Sequence, residues 1–432
     1  MTSKEKSATD VNENNVTEIP EDISIVKHAG HKLRTGKKIV DRSQLDKLQE
    51  TLGQGEKLPN QYTGHTYKNK KEKFRLDGHK MLYHLERINA WKRGERIAPI
   101  HIDMGLTKFC NIACVYCIGV TQGMQKGAMI QPDALLRFIE DCGRLEVRSI
   151  GFIGDGEPTL NPAMYDAIVI GKQNNIDIGI ATNGVRLDLD RADDMLKHLT
   201  FLRINLSAGD REGFSKIHQS KGDNFDLLVE KMKALVKVRK ENNYACTLGI
   251  QMVLIPENFD QIIKLAELGR EVGFDYLQIK QCSDTEYKEI GIDHTQYARA
   301  TEDLKKAETF TTDDYYVQVK WNKINILGDT DVYKGGVRKY DICYGTPFLG
   351  QISGNGRMYP CGPFFGKERF CMGDIHKESY YDIIKGDHYW NVQKDVVDNV
   401  DVHCDCTVGC RQDYINKFLW DVMNPPEHHN FI

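Results

Sequence analysis

Residues 147–184 read VRSIGFIGDGEPTLNPAMYDAIVIGKQNNIDIGIATNG. Val147–Ile153 is a short run built on Val, Ile, Phe and Ile, which reads as a strand. Pro162–Asn174 opens on a proline and carries an apolar stripe, which reads as a helix. Asp177–Thr182 is a second strand. A strand, a helix and a strand within about 35 residues form a βαβ unit, and such a unit calls for a parallel sheet. The alternation continues on both sides. Before it lie a strand over His101–Leu106 and a helix over Pro132–Gly143. After it come helix Arg191–His198, strand Phe201–Ser207, helix Phe225–Glu241 and strand Ala245–Ile255. Helix Phe259–Val272, strand Tyr276–Lys280 and a helix near Thr295–Thr309 complete six βα units. The class is α/β, with helices outside a parallel sheet. Six units make either an open doubly wound sheet or most of a barrel, and periodicity does not choose. In both, chemistry belongs at the C-terminal ends of the strands.

The 432 residues are 40% hydrophobic and 28% charged, a globular balance, and length alone points to two or three domains. The 58 Lys+Arg against 62 Asp+Glu give a formal charge of −4, which excludes a strongly basic nucleic-acid coat, and no nucleic-acid partner is expected. No apolar run approaches the ~18 residues of a membrane helix. MTSKEKSATDVNENNVTEIP, residues 1–20, has no apolar signal core. A cytoplasmic chain with no membrane partner is expected, and there 12 cysteines point to metal or redox chemistry rather than disulfides. Residues 1–20 read as a disordered tail. Residues 21–97 read as a polar and basic extension, with a short helix near Ser43–Leu52. Within it, 64–97 holds ten Lys or Arg against four Asp or Glu, and Met81, Leu82, Leu85 and Ile88 predict an amphipathic helix. Residues 98–327 hold the βα units. Residues 328–432, with six cysteines and short strand-like runs, read as a small α+β domain stabilised by metal.

The stretch after the first strand is Thr107-Lys-Phe-Cys110-Asn-Ile-Ala-Cys114-Val-Tyr116-Cys117. Three thiolates in one loop can hold three corners of a four-iron cluster. The fourth iron is then open, and an open position on a metal is where a ligand binds. Structural zinc would want a fourth Cys or His in the loop. None is there, and His101 reads as a packed or polar strand residue.

Cys110-x3-Cys114-x2-Cys117, with Tyr116 before the last cysteine, resembles the signature of the radical S-adenosylmethionine (SAM) superfamily. The resemblance covers about residues 98–282 and implies a partial (β/α)6, TIM-like barrel. It implies that SAM chelates the open iron of a 4Fe-4S cluster and is split by one electron into methionine and a 5′-deoxyadenosyl radical, which removes hydrogen from a substrate C–H bond. Gly154-Asp-Gly156-Glu157-Pro158 matches the family's Gly-Gly-Glu-Pro, with Asp155 in place of the first glycine. Gly156 then lets backbone approach a ligand, and Glu157 accepts from the SAM ammonium. A plain turn with a helix cap is the structural alternative. Thr182-Asn183-Gly184 matches the family's Thr-Asn-Gly turn. Arg203-Ile-Asn205-Leu-Ser207 resembles its Arg-Val-Ser-Leu-Asp segment, which makes Asn205 and Ser207 candidates for SAM contacts. Tyr116 is a candidate to lie beside the adenine. Gln251 either faces the barrel interior or is a satisfied core amide.

Cys343, Cys361, Cys371, Cys404, Cys406 and Cys410 form a second group. Gln351–Cys361 reads as a hairpin with a glycine turn and a cysteine at its exit. Zinc, with His403 as a ligand, is one reading of this group. With the upstream loop, the hairpin resembles the C-terminal extension called SPASM or, in shorter form, twitch, which binds auxiliary 4Fe-4S clusters. The full form has a Cys-x2-Cys-x5-Cys-x3-Cys run. This chain has Cys404-x-Cys406-x3-Cys410, so one auxiliary cluster is expected rather than two. Cys343, Cys361 and Cys410 are its expected ligands, and Cys404 and Cys406 compete for the fourth place. Cys371 reads as buried structure, and Cys142, Cys246 and Cys282 as core thiols.

The resemblance implies a radical SAM oxidoreductase or maturase, with a reductant such as flavodoxin or ferredoxin as partner. Its substrate is a peptide or a small molecule. No general base stands out, and Lys280 near the end of the sixth strand is either one or a structural ion-pair member. The competing class is a non-catalytic iron–sulfur or zinc scaffold for electron transfer. The Gly-Glu-Pro segment argues against it, because a structural cluster has no need of SAM contacts.

Overall fold

The computed structural model describes residues 72–74, 78–118, 128–283, 290–321, 324, 338–406 and 410–431. By its contacts the chain divides after residue 73, and the description below concerns Phe74–Ile432. The tail expected over 1–20 and the helix expected near Ser43–Leu52 lie outside the described residues.

Six strands pair in chain order, all parallel: β1 (His101–Met104), β2 (Ser149–Phe152), β3 (Asp177–Thr182), β4 (Leu199–Asn205), β5 (Thr247–Leu254) and β6 (Tyr276–Gln281). A doubly wound sheet reverses its strand order at a switch point. This order does not reverse, so the sheet is of the partial-barrel kind. Helices expected from Phe259 and from Thr295 begin as 3₁₀ turns, over Pro256–Gln261 and His294–Ala300, and only then become α-helical. Among the strands and α-helices of the barrel, two escaped the sequence reading. Strand β7 (Tyr316–Val319) adds to β6 in parallel. Helix Arg211–His218 is capped by Asp210, whose side chain accepts from the Gly213 N–H.

Alternation along the strands separates two faces. Ile102, Met104, Ile150, Phe152, Ile178 and Ile204 point to one side and are buried in a single core with the helices. The other side carries His101 opposite Ser149, Asp103 opposite Gly151, Asn205 opposite Gln251, and Gln278 opposite Gln318. A parallel sheet covered on both faces reads as a continuous apolar run. The polar side of this one is the inner face of the partial barrel.

The cysteine-rich segment joins the sheet of the barrel. Its strand β8 (Leu349–Ile352) pairs in parallel with the free edge of β1, giving β1 a second full ladder. Strand β9 (Arg357–Tyr359) returns antiparallel through a turn in which Gly356 has φ +80°, and β10 (Gly373–Asp374) follows on β9. The ends of β1, β2 and the β8–β9 turn meet backbone to backbone. A Cβ on Gly154 would strike Gly105, and one on Gly354 would strike Thr107.

The helix expected around Met81–Ile88 is a 3₁₀ turn (His79–His84) running into an α-helix (Leu85–Lys92). Met81 and Ile88 are buried with Ile97, Ile100, Phe348 and Leu419, whereas Leu82 and Leu85 are exposed. The 3₁₀ start shifts the register, so the four apolar positions do not share one face.

Candidate functional site

The loop bearing Cys110, Cys114 and Cys117 leaves the C-terminal end of β1. It hangs on the end of helix Arg211–His218, through Ala113 N–H to His218 C=O at 3.2 Å and Val115 N–H to Ile217 C=O at 3.0 Å. The three thiols act on one another electrostatically. Burial, then Cys117 and Cys110, push the Cys114 thiol up to about 12. A bound metal cation reverses that balance, because the thiolate is the form it takes. The loop therefore fits a group that supplies positive charge to three sulfurs.

Sequence reasoning missed His218. It is 0% exposed. Its Nε2 accepts the Ser207 N–H at 3.0 Å, so the ring proton is on Nδ1, and Nδ1 lies 3.1 Å from Cys114 Sγ. Burial lowers its pKa to about 3, so the ring is neutral. A neutral imidazole with this tautomer donates its Nδ1–H to the sulfur. The signal in the sequence was a helix cap at Asp210, four residues past Leu206, with the histidine at that helix's end.

Tyr116 and Ser207 belong to the same support. Ser207 Oγ–H donates to Tyr116 Oη at 2.9 Å and accepts the Val253 N–H at 3.0 Å. Ser207 is fully buried. The hydroxyl bonds within the chain, and it braces the aromatic ring. Tyr116 packs beside Ile217, Ile255 and Cys282, edge-on to His218.

The segment after β2 locks to the thiol loop. Glu157 N–H donates to Phe109 C=O at 2.7 Å. A Cβ on Gly156 would fall onto the carbonyl oxygens of Thr107 and Phe109, so only glycine fits. Glu157 is 2% exposed. Its Oε1 accepts from Thr159 N–H, Thr159 Oγ and Thr182 Oγ, and its Oε2 from Asn183 N–H at 2.7 Å. Burial raises its pKa in spite of those donors. The carboxylate ties the β2 loop to the β3 turn. Asn183 is the outward member of that turn, with Nδ2 at 2.9 Å from Asn111 Oδ1 and 3.7 Å from Cys110 Sγ. Asp155, the departure from the family's glycine, also has a partner. It accepts from Ser353 Oγ at 2.6 Å and Gly354 N–H at 3.0 Å, joining the β2 loop to the β8–β9 turn.

Asn205 and Gln251 face the interior together, with Gln251 Nε2 at 3.3 Å from Asn205 Oδ1. Lys280 lies on the same face, opposite Val253. His101 is the polar strand residue expected, held between Ser149 Oγ at 2.8 Å and Asp103 Oδ1 at 2.9 Å.

Four of the C-terminal thiols come together. Every pair among Cys343, Cys361, Cys406 and Cys410 interacts electrostatically, and burial with these neighbours pushes Cys343 up to about 11 and Cys406 up to about 12. Cys404 stands apart. It is exposed, and its nearest influences are Asp401 and Asp405. His403 pairs with Asp341 at 3.0 Å rather than with the thiols. Asn416 Nδ2 donates to Cys343 Sγ at 3.4 Å. Among the described residues no three His, Cys, Asp or Glu side chains converge on a single-ion position. A four-iron cluster is wider, with each thiolate on its own iron, and the looser grouping suits it. Cys371, expected buried, is half-buried beside Gly373 at the sheet's edge, while Cys142, Cys246 and Cys282 are core thiols as expected.

Residues 104–269 match the model of the Radical SAM superfamily, a span that contains the thiol loop, Gly156, Glu157, Asn183 and Asn205. The tungsten-containing aldehyde ferredoxin oxidoreductase cofactor-modifying protein of Pyrococcus furiosus is 25% identical over 314 residues, covering 67% of this chain and 82% of that one. Mycofactocin maturase MftC of Mycolicibacterium smegmatis is 25% identical over 177 residues, 41% of this chain and 43% of that one. The chain thus spans most of the first relative and under half of the second. The fold is similar to that of Streptococcus suis SuiB, solved bound to precursor peptide SuiA, with a TM-score of 0.55 at 16% identity over 77% of this chain and 76% of that one. No helix among the described residues is long and apolar enough to cross a membrane. Loop, barrel and matched span agree: the chain is an enzyme that carries a Radical SAM superfamily domain over residues 104–269.

Proposed function

We propose that this enzyme modifies a peptide or a cofactor precursor, using a second four-iron cluster on Cys343, Cys361, Cys406 and Cys410. The observation that carries the reading is the pair of thiol groups, three at the mouth of the barrel and four behind the strand that extends it. When bound, the first cluster and SAM supply a radical that removes hydrogen from an unreactive carbon. The chain's own residues do the rest. Cys110, Cys114 and Cys117 hold the first cluster. Gly156, Asn183 and Asn205 form the rim for SAM, while Glu157, Ser207 and Tyr116 fix that rim from below. The polar inner face receives the substrate, and its enclosure keeps water from the reacting carbon. A flavodoxin or ferredoxin delivers the electron. The name of the Pyrococcus furiosus relative, a cofactor-modifying protein, supports a cofactor substrate, and that of the second, a maturase, supports a modifying role.

Anaerobically reconstituted protein is expected to hold about eight irons per chain. Cys406→Ala is expected to lose about half of them, and Cys404→Ala to keep all. Stoichiometric zinc with little iron, or equal loss from both variants, overturns the assignment.

His218 is a positioning residue for the first cluster. Hydrogen bonds to cluster sulfurs favour the reduced, more negative state. His218→Phe is expected to lower the reduction potential of that cluster by an amount on the order of tens of millivolts, leaving iron content unchanged. Spectroelectrochemistry reads this directly, and an unaltered potential removes the role.

A further inference from the structure

Arg203 is a cation on the inner face whose Nε has no hydrogen-bond partner among the described residues. It lies on β4, and its in-register neighbours are Ala181 on β3 and Gly249 on β5, neither of which offers a polar side chain. Its Nε is buried with no hydrogen-bond partner, and the guanidinium makes no ion pair among the described residues. The carboxylate that acts on it, Asp103, is already taken. Asp103 accepts from Arg411 Nε at 2.9 Å and from His101 Nε2 at 2.9 Å. Burial would raise the Asp103 carboxyl, but Arg411 and His101 outweigh it and hold it well below the usual range, so its charge is spent on them. Among the described residues, Arg203 and Arg411 with the one carboxylate of Asp103 leave a positive charge in excess here.

A buried charge without a partner is costly. A fold that keeps one on a concave polar face has a use for it, and a planar fork of N–H donors matches a two-oxygen anion. Asn205 and Gln251 continue the polar face from Arg203 toward the thiol loop. A molecule anchored at Arg203 therefore extends toward the cofactor end of the barrel.

We propose that Arg203 is a substrate subsite for an oxyanion, a carboxylate or phosphate group of the molecule that enters the barrel. The inference deepens the reading of the enzyme's substrate given above and rests on it.

The test titrates inorganic phosphate and acetate separately into the anaerobically reconstituted full chain, at constant ionic strength, by calorimetry. Wild type is expected to bind one equivalent of at least one of them. Arg203→Met is expected to weaken that binding about tenfold or more, and Arg203→Lys to fall between, since it keeps the charge and loses the fork. Preference for phosphate identifies a phosphorylated substrate, and preference for acetate a carboxylate. A second readout is the melting midpoint without added anion. Removing an unpaired buried charge raises it, as expected for a residue kept for binding at a cost in stability. No saturable binding to wild type, equal binding by Arg203→Met, or a lowered midpoint in that variant overturns the proposal. SAM cleavage by wild type is assayed in parallel. Its absence counts against the enzyme reading and leaves the anion result standing.

Discussion

Cys114→Ala is expected to abolish formation of 5′-deoxyadenosine and to remove about half of the iron, the share of one of two four-iron clusters. Cys114 is the middle thiol of the loop and the one braced by His218 Nδ1 at 3.1 Å. Two cysteines cannot hold the three corners that leave one iron open for SAM. On the proposed assignment the remaining iron sits with Cys343, Cys361, Cys406 and Cys410, none of which is in the loop. Iron analysis with deoxyadenosine quantified after strong reduction checks both halves of the expectation. Cleavage retained in the variant would sink the assignment of the loop.

The second large effect is expected from the smallest change. Gly156→Ala adds one methyl group, which meets the carbonyl oxygens of Thr107 and Phe109. Both are backbone atoms at the root of the thiol loop, so no side chain can rotate away. Either the β2 loop lifts or the thiol loop does, and the Glu157 N–H bond to Phe109 at 2.7 Å goes with it. A cost of about 3 kcal/mol is expected, at the upper end for overpacking, with loss of the first cluster. Gly222→Ala is the control, since its nearest neighbours stand at 3.4 Å or more and its backbone is helical. Comparing denaturation midpoints and iron content of the two variants tests this. Equal behaviour would mean that the loops do not meet as described.

Much of the fold was legible because it is local. Each of the six expected strands is present with its ends within two residues of the reading, as β-branched runs between helices state their own conformation. The three loop cysteines were legible for the same reason. What stayed hidden depends on direction and distance. Cys404 and Cys406 differ by two positions, and spacing does not say which one turns toward Cys343. Ser207 and Glu157 have the right atoms for ligand contacts, but residue type does not say whether those atoms face the ligand or the chain. His218 sits 104 residues from Cys114, a separation over which no pattern runs. The pairing of β8 with β1 is hidden likewise, since each strand is short and the partners are far apart.

That pairing has a consequence for how the polypeptide is made. Roughly 250 residues separate β1 from β8. At a ribosomal pace of about 5–20 residues per second, the first strand waits on the order of ten seconds to a minute for its outer neighbour. Throughout that time its outer edge is an open template for stray strands. The nascent barrel also lacks the Ser353 and Gly354 donors that Asp155 will bind. Messages truncated before residue 349 should therefore yield aggregates rather than a working half-enzyme. Slowed translation across the last hundred codons should lower soluble yield more than the same delay placed before β1.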